Sequence, residues 1–527
     1  MQLNQSNWLP HLRNLPEDVN GYKTCTYLMA LEGWRRGLKL TFHIEPGVAV
    51  PPSVRFSLSN GEREHFFTVS RGDKVSKEAI KICMIKSLTY KYLAENNVPI
   101  PEGKSFTEET NNDEIIDFAK EIGFPLVVKP TDAGSGRGVI TNITNIDEFK
   151  DALTTVRDRL GFKNVIVERF IVGEDYRIYV VNDKVVGAYK RIPANVIGDG
   201  KSTIKELIKK KNELREKNPF IFDRPIKIDK KLTEFLSEQQ LTLESVPKKN
   251  ERIFLRPQGA YLKERDPVDI TDSMPDKIKE IAVKAMKSIP GLTHCDVDMI
   301  VDEETGEGYV NEINSRPQIS NHLFPIEGEA RDIPKEIIDF YFPETINGKR
   351  NDQYYYDFNP VYESFRSMSI KKIIIPDIPF DHELTRFRLK GKRLRTRNYE
   401  RWVRRQVANL KLNGYIKHLK NGETSIVVGG KSSAIKKFRN IIYNRSAKNT
   451  VVTEIKEFDR TAPIKIGFEI INNETDSSDE VEELKEKYKN VSKELELYKT
   501  KYEKILNSKS WKMTQVFRNI SKIMKSN

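Results

Sequence analysis

The spacing of apolar and polar residues along the chain predicts alternating helices and strands. Residues 27–37 have helical spacing and end at a glycine. Residues 54–58 alternate like a strand, Asn60-Gly61 is typical of a hairpin turn, and residues 65–69 predict the returning strand. A helical pattern then covers residues 76–96. Because helices and strands are intermixed from the start, the pattern favours an α/β or α+β fold.

A glycine-rich turn follows an apolar strand at residues 124–138, FPLVVKPTDAGSGRG. The strand carries Lys129, and the glycines of the turn let the backbone approach a ligand closely. Successive backbone N–H groups in such a turn bind anions, and a lysine adds a point charge for phosphate. It is not a P-loop, because no lysine followed by serine or threonine comes after the second glycine. Taken alone, the stretch indicates either a phosphate-binding loop or a plain surface turn.

The hairpin predicted at residues 294–314 places acidic residues opposite each other. Asp298 and Glu312 lie on its two strands, and Asn314 is two residues beyond Glu312, on the same face. Carboxylate and amide oxygens held in this way suit a Mg²⁺ ion that also takes phosphate oxygens. A solvated acidic face on an edge hairpin is the alternative interpretation. The glycine-rich turn upstream favours the metal site.

Length, net charge, cysteine content and the lack of long apolar runs limit the classes of protein to which the chain can belong. The chain has 527 residues, enough for several domains, and a net charge of +13, which suits phosphate-bearing ligands, nucleic acid or an anionic membrane. Its three cysteines are far apart, which argues against a disulfide framework and favours a reducing compartment. No apolar run approaches the length of a membrane-spanning helix, and the N-terminus lacks the pattern of a signal peptide. We therefore expect a soluble, cytoplasmic protein.

The second half of the sequence predicts a smaller domain and a helical end. Residues 369–470 have the order strand, helix, strand, strand, helix, strand, strand, and the aromatic residues 354–358 before them indicate a linker. After an acidic hinge, apolar positions with 3,4 spacing predict a coiled coil at residues 478–508 and hence a homo-oligomer; a helix packed on its own protein is the alternative. Residues 509–527 form a basic amphipathic tail, which suits peripheral membrane contact or a partner.

Residues 80–335 resemble an ATP-grasp domain, most closely that of the cyanophycin synthetases and bifunctional glutathione synthetases. The matching stretches are FPLVVKP with its glycine loop, GEDYRIYVVNDKVVGAYKRIPANVIGDGKSTIKELI, PVDITD, DVDMIVDEETGEGYVNEIN and FPIEGEARD. The resemblance implies an enzyme that phosphorylates a carboxylate with ATP and Mg²⁺ (or Mn²⁺) and then lets an amine displace the phosphate. The chain departs from the family on the acceptor side, where residues 259–265 replace a serine-threonine-glycine-glycine loop and Asn314-Ser-Arg-Pro-Gln replaces Asn-x-x-Pro-Gly.

The resemblance also implies roles for individual residues, carried over by position. The residues implied to contact phosphates or to cover them are Lys86, Lys129, Ser135, Gly136 and Gly138. Those implied to line the adenine and ribose are Glu168, Phe170, Ile171 and Glu174. Those implied to face the transferred phosphate are Arg177, Arg191 and Arg256, and those implied to hold Mg²⁺ are Asp298, Glu312 and Asn314.

Residues 369–470 resemble an acylphosphatase, a small ferredoxin-like domain. The family's phosphate loop is replaced by residues 391–401, GKRLRTRNYER, which is one residue longer. Glu400 takes the place of the catalytic arginine, Arg401 follows it, and His418 stands where the family has asparagine. Loss of the arginine removes a phosphate clamp, so we expect a structural or binding domain and not a working hydrolase.

We therefore expect a pre-ATP-grasp region at 1–80, an ATP-grasp domain at 81–345, an acylphosphatase-like domain at 369–470, the coiled coil and the tail. The predicted function is an ATP-dependent carboxylate–amine ligase acting through an acyl phosphate, in the synthesis of a cell-surface or amino-acid polymer. An acylphosphatase and a non-catalytic nucleotide-binding scaffold are the alternatives. The expected partners are a small carboxylate and an amine, with no nucleic acid.

Overall fold

The computed structural model describes residues 8–13, 16, 19–44, 54–133, 136–257, 264–366, 370–378, 383–444, 447, 449–471 and 498. The chain forms two compact units. Unit 1 comprises Met1–His382 with Thr461–Gly467, and unit 2 comprises Glu383–Arg460 with the chain from Phe468 onward. The coiled coil and the basic tail that the sequence predicts lie outside the described residues, apart from Tyr498. In the described part of the chain, no helix is both long and apolar enough to span a bilayer.

Helices and strands alternate through both units. The helices are α1 Lys23–Arg35, α2 Lys77–Met84, α3 Lys86–Glu95, α4 Asn112–Ile122, α5 Ile146–Thr154, α6 Ile204–Glu216, α7 Lys230–Glu238, α8 Asp276–Lys287, α9 Ser320–Leu323, α10 Ile333–Tyr341, α11 Asn359–Arg366, α12 Arg397–Asn409 and α13 Ser432–Asn444. The strands are β1 Lys39–Ile44, β2 Val54–Ser59, β3 Glu64–Thr68, β4 Arg71–Gly72, β5 Gly103–Phe106, β6 Leu126–Pro130, β7 Ile140–Ile143, β8 Val165–Arg169, β9 Glu174–Val181, β10 Lys184–Ile192, β11 Asn195–Ile197, β12 Arg252–Phe254, β13 Asp266–Asp269, β14 His294–Asp302, β15 Glu307–Asn314, β16 Tyr354–Tyr355, β17 Lys372–Ile374, β18 Glu383–Lys392, β19 Asn413–His418, β20 Thr424–Gly430, β21 Val451–Asp459, β22 Ile464–Lys465 and β23 Phe468–Ile471.

The first sheet of unit 1 has the order β17-β1-β2-β3-β4, and the expected hairpin of β2 and β3 is confirmed. The aromatic residues 354–358 are not a linker, contrary to the sequence interpretation. Tyr356 lies 4.9 Å from Tyr27 and 5.3 Å from Trp34, ring centroid to ring centroid, and the Tyr27 hydroxyl donates to the Tyr356 carbonyl at 3.0 Å. Every second side chain of the segment is buried because the segment packs against α1 and β1. The N-terminal region is thus completed by chain that follows α10.

The single helix predicted over residues 76–96 is two helices. Ser76 caps α2 by accepting from the backbone N–H of Ala79 at 2.9 Å. Ile85 is extended, with φ −118° and ψ 104°, so the helical hydrogen bonds stop there. The backbone N–H of Lys86 then donates to the Thr131 carbonyl at 3.0 Å. This break places the first residue of α3 beside the strand that leads to the glycine-rich turn.

Two further sheets of unit 1 carry most of the predicted site residues. One has the order β5-β8-β6-β7, and the other has the order β13-β10-β9-β14-β15. The glycine-rich turn joins β6 to the strand β7, which the sequence interpretation missed, before α5 begins. The predicted acidic hairpin is β14 and β15, and its register pairs Asp298 with Glu312. Its buried side chains, Val297, Met299, Val310 and Ile313, form part of one apolar core with residues of α8.

Unit 2 is a five-stranded sheet of order β21-β18-β20-β19-β23 with the helices α12 and α13. The expected succession of elements is confirmed from residue 383 onward. The segment at residues 372–374, expected to contribute to this core, is β17, which pairs with β1 in unit 1. The strand β22 was also expected in this core, but it belongs to unit 1 and pairs there with β16, with Tyr354 opposite Ile464. The core of unit 2 instead comes from its own helices and strands, including Phe387, Val403, Ile426 and Phe438.

Candidate functional site

Arg177 and Asp298 are direct partners in the pairing of β9 with β14. The Arg177 side chain donates to both carboxylate oxygens, from Nε to Oδ1 at 2.7 Å and from Nη2 to Oδ2 at 2.7 Å. Arg191 on β10 adds a third bond, from Nη2 to Oδ2 at 3.0 Å. Burial by itself would raise the pKa of Asp298, but the two guanidinium groups lower the pKa to about 2. Asp298 is therefore a buried, fully ionised carboxylate at neutral pH.

The three predicted metal ligands lie together on the hairpin of β14 and β15. Glu312 is the partner of Asp298, and Asn314 is the partner of Asp296, so the register places all three on one face. The Lys86 Nζ lies 3.1 Å from the Glu312 Oε1. Both oxygens of Asp298 accept from Arg177, and one also accepts from Arg191. Two carboxylates and an amide are donor types that suit Mg²⁺, so the residues present fit a divalent ion by their chemistry.

Lys129 connects the two sheets of the site. Its Nζ lies 2.6 Å from the Glu168 Oε1, and it donates to the Tyr90 hydroxyl at 2.8 Å and to the Asn311 Oδ1 at 2.9 Å. The side chains of Lys129 and Glu168 are 3% and 5% exposed, so this ion pair is buried. Burial lowers the pKa of the Lys129 ammonium, and the Glu168 carboxylate opposes that shift. A buried cation thus lies at the end of β6, just before the glycine-rich turn.

The glycine-rich turn has backbone geometry that favours glycine. Gly136 and Gly138 have positive φ angles of 68° and 76°, in the region where a side chain is strained. A Cβ on Gly138 would also lie 2.9 Å from Cγ of Pro130. Ser135 lies outside the described residues. The described part of the turn therefore needs glycine for conformation and for space.

The residues expected at the nucleotide base follow β8. Phe170 and Ile171 are half-buried, and the Phe170 backbone N–H donates to the Pro125 carbonyl at 2.9 Å. Glu174 begins β9 and is also half-buried. Glu168, expected to belong to the same group, instead directs its carboxylate at Lys129 and Tyr90. The structure thus places Phe170, Ile171 and Glu174 along one strand connection, with Glu168 at the lysine.

The structure does not join Arg256 to the Asp298 group. Among the described residues, its guanidinium bonds to both oxygens of Asp229, at 2.9 and 3.0 Å, and to the Glu264 Oε2 at 3.1 Å. A different arginine, Arg265, is linked to the Asp298 group through Asp175. Arg265 donates to the Asp175 carboxylate, and Arg191 donates to the same carboxylate at 2.5 Å. Sequence reasoning missed this link, since Asp175 is separated from Arg265 by 90 positions.

The residues singled out in unit 2 form a buried pair. The His418 Nε2 lies 2.7 Å from the Glu400 Oε1, and the His418 Nδ1 lies 3.1 Å from the Thr424 Oγ1. Glu400 and His418 are each 8% exposed, whereas Arg401 is exposed on α12. The Glu400 carboxylate therefore points inward, and Arg401, the next residue, points away from it.

Comparison with known proteins finds a family model that matches a stretch of each unit. Residues 84–207 match the model of the RimK-like ATP-grasp domain, and residues 385–470 match the model of the acylphosphatase family. Both resemblances predicted from the sequence are confirmed, and so is a mixed α/β fold that includes an ATP-grasp domain.

Two curated relatives illustrate the similarity to known ligases. The glutathione biosynthesis bifunctional protein of Listeria welshimeri is 34% identical over 290 residues, which cover 53% of this chain and 37% of that protein. The cyanophycin synthetase of Crocosphaera subtropica is 32% identical over 273 residues, which cover 50% of this chain and 31% of that protein. The solved structure of a bifunctional glutathione synthetase from Pasteurella multocida is 26% identical and covers 55% of this chain and 40% of its own, with a TM-score of 0.44. The chain thus spans well under half the length of these relatives.

Proposed function

We propose that unit 1 is an ATP-dependent carboxylate–amine ligase. The observation that carries the proposal is the group around Asp298: this buried carboxylate accepts from Arg177 and Arg191, and its strand partner Glu312 contacts Lys86. Phosphoryl transfer is catalysed mainly by positioning the reactants and by neutralising the negative charge on the oxygens of the transferred phosphoryl group. Fixed cations beside a proposed metal site provide both.

The proposed reaction has two balanced steps. A carboxylate oxygen of the first substrate attacks the γ-phosphorus of ATP, the bond to the β–γ bridging oxygen breaks, and ADP leaves. The amine nitrogen of the second substrate then attacks the acyl carbon of the resulting acyl phosphate. Inorganic phosphate leaves with its oxygen, the nitrogen loses its proton, and an amide remains.

The residues of the site divide these tasks in the proposal. Lys86 and Lys129 bind the nucleotide phosphates, and the turn with Gly136 and Gly138 approaches them with its backbone. Arg177 and Arg191 neutralise the transferred phosphoryl group. Asp298, Glu312 and Asn314 would hold Mg²⁺, which, when bound, neutralises phosphate charge. Phe170, Ile171 and Glu174 would bind the base and ribose.

The relatives are named for glutathione biosynthesis and for cyanophycin synthesis, so we propose amino acids or short peptides as the carboxylate and the amine. The experiment measures ADP release by the full chain with ATP and Mg²⁺ against a matrix of carboxylates and amines, including cell-wall precursors. ADP release that requires both substrates, together with an amide product detected by mass, supports the ligase. Asp298→Asn serves as the control for contaminating ATPases. ADP release that is independent of both substrates, or equal in Asp298→Asn, would overturn the proposal.

A further inference from the structure

The positive charge of the chain is concentrated in unit 2. Its residues 383–460 and 468–471 contain 21 lysines and arginines but only 7 aspartates and glutamates, whereas the whole chain contains 89 and 76. The net charge of the rest is therefore slightly negative, and the entire excess of +13 belongs to this segment. Concentrated charge of one sign opposes folding through self-repulsion and attracts counter-charged partners.

The excess is arranged along one helix. Arg397, Arg401, Arg404 and Arg405 are exposed on α12, at spacings that place them on one side of the helix. The loop before the helix adds two further exposed arginines, Arg393 and Arg395. These six residues are called the arginine face below. With a rise of about 1.5 Å per residue, cations recur along the helix about every 6 Å.

Several other cations of unit 2 form ion pairs with carboxylates, whereas the six residues of the arginine face do not. Arg439 contacts Glu457 at 2.8 Å, Lys390 contacts Glu454 at 2.7 Å, and Arg388 contacts Glu423. Among the described residues, no carboxylate forms an ion pair with any of the six arginines. The single carboxylate within α12, Glu400, is withdrawn into the interior by its contact with His418. The exposed side of this helix therefore carries four arginines and no carboxylate.

We propose that the arginine face binds a linear polyanion whose charges are phosphate groups. Arginine presents a planar fork that matches phosphate oxygens in pairs, and every cation within α12 is an arginine, although the unit also contains exposed lysines. A single phosphate group would engage one or two of them. A chain of phosphates laid along α12 meets a new guanidinium at each helical turn.

The apolar residues argue against two other occupants. A helix that lies in a membrane surface combines basic residues with large apolar residues that enter the lipid. On α12 the large apolar side chains are buried or half-buried, and Tyr399 stacks with Trp402 at 5.7 Å between ring centroids. Because α12, as the structure describes it, has no exposed aromatic ring, it offers no surface on which nucleic-acid bases could stack. The surface thus fits the charge of a phosphate chain and not an attached base or lipid.

The test measures binding of the full chain to labelled long-chain inorganic polyphosphate, with excess ADP present to occupy any nucleotide site. The triple variant Arg401→Gln/Arg404→Gln/Arg405→Gln should weaken binding at least tenfold. It should also make the plot of the logarithm of the association constant against the logarithm of the salt concentration less steep by about 2. Each lost contact to a flexible phosphate chain contributes about 0.7 to that slope, and three contacts are lost. The matched control is Lys431→Gln/Lys436→Gln/Lys437→Gln, which removes the same charge from three exposed lysines on α13 and at the residue before it, and should leave binding within about twofold.

Several results would overturn the proposal. Equal losses in the two triple variants would show attraction to net charge and not to the arginine face. Equal affinity for polyaspartate would remove the phosphate preference. Binding to vesicles that contain phosphatidylserine, or to single-stranded DNA, without binding to polyphosphate would assign the face to a membrane or to nucleic-acid bases. Absence of polyphosphate binding at low salt would reject the site altogether.

Discussion

The Lys129 ammonium and the Glu168 carboxylate form an ion pair of 2.6 Å that is almost completely shielded from solvent. The two residues come from adjacent strands, and Tyr90 and Asn311 complete the hydrogen bonds of the lysine. Removing one member of a buried pair leaves an uncompensated charge, which costs about 3–5 kcal/mol, whereas removing both costs much less. The pair therefore allows stability to be separated from nucleotide binding.

We predict that Lys129→Met strongly destabilises the protein and that Lys129→Met/Glu168→Gln regains most of the lost free energy of unfolding. Neither variant should bind ATP with normal affinity, because the proposed phosphate-binding cation is missing from both. Urea denaturation and titration with ATP measure the two effects. A stable double variant with unchanged ATP affinity would restrict Lys129 to a structural role.

Glu312→Gln should abolish substrate-dependent ADP release while the fold is retained. The substitution keeps the size of the side chain but removes the charge that would bind Mg²⁺ and that contacts Lys86. Glu307→Gln, an exposed change at the start of the same strand, is the control and should retain activity. Normal turnover by a folded Glu312→Gln protein, with an unchanged Mg²⁺ requirement, would contradict the proposed metal site.

Tyr356→Ala should lower the free energy of unfolding by about 3–5 kcal/mol, the usual cost of removing a large buried aromatic side chain. Its ring is 1% exposed and contacts Tyr27, Trp34 and Phe42. Chemical denaturation of the full chain measures the change. A loss below about 1 kcal/mol would restore the sequence interpretation of this segment as a linker.

Local patterns predicted the hairpin of β2 and β3 and the acidic hairpin correctly, because side chains alternate on a strand and because paired residues such as Asp298 and Glu312 are close in sequence. The same patterns failed where distant segments meet. Tyr356 looked like part of a linker because its partners lie more than 300 residues earlier, and residues 372–374 looked like part of unit 2 because their partner strand is β1. Arg265 was missed for the same reason. Spacing along the chain carries no information on which strands become neighbours.

The pH dependence of stability should reveal the raised pKa of the Asp332 carboxyl group. Burial, with the nearby charge of Glu32, raises the pKa of Asp332 to about 7 from 3.8. A raised pKa contributes stability that is complete below about pH 4 and is lost as the pH rises to about 7. The neighbouring His11 acts in the opposite direction: burial lowers its pKa to about 3, so its contribution is present above about pH 6.5 and declines as the pH falls.

The melting temperature of Asp332→Asn, measured relative to that of the unmodified protein, should therefore rise between pH 5 and pH 8. The variant no longer has to ionise a buried carboxyl group, although it also loses the contact of Asp332 with Arg350 at 3.5 Å at both pH values. Asp339→Asn on the same helix is the control, because Arg36 and Lys335 keep the pKa of Asp339 below its usual value despite burial. Its difference in melting temperature from the unmodified protein should be the same at both pH values. An equal result for Asp332→Asn would contradict the raised pKa.

The last prediction concerns the acylphosphatase-like unit: without ATP, the full chain should not hydrolyse benzoyl phosphate above the rate in buffer. Glu400 stands where the family has its catalytic arginine, and its contact with His418 at 2.7 Å fills the position with a carboxylate. A negative charge there repels the phosphate of the substrate. Arg401 is exposed on the helix and does not share the inward side of its neighbour, so it cannot replace the missing clamp.

Glu400→Gln removes the repelling charge and should still give no hydrolysis, because no inward-facing arginine is restored. Arg401→Ala should leave the background rate unchanged for the same reason. Release of benzoate, followed by absorbance, measures all three proteins, with circular dichroism as the check of folding. Rapid hydrolysis by the unmodified chain that disappears in Arg401→Ala would show that Arg401 turns inward on binding substrate. In that case unit 2 would be a working hydrolase, and an acyl phosphate would be its substrate and not merely the ancestral ligand of its fold.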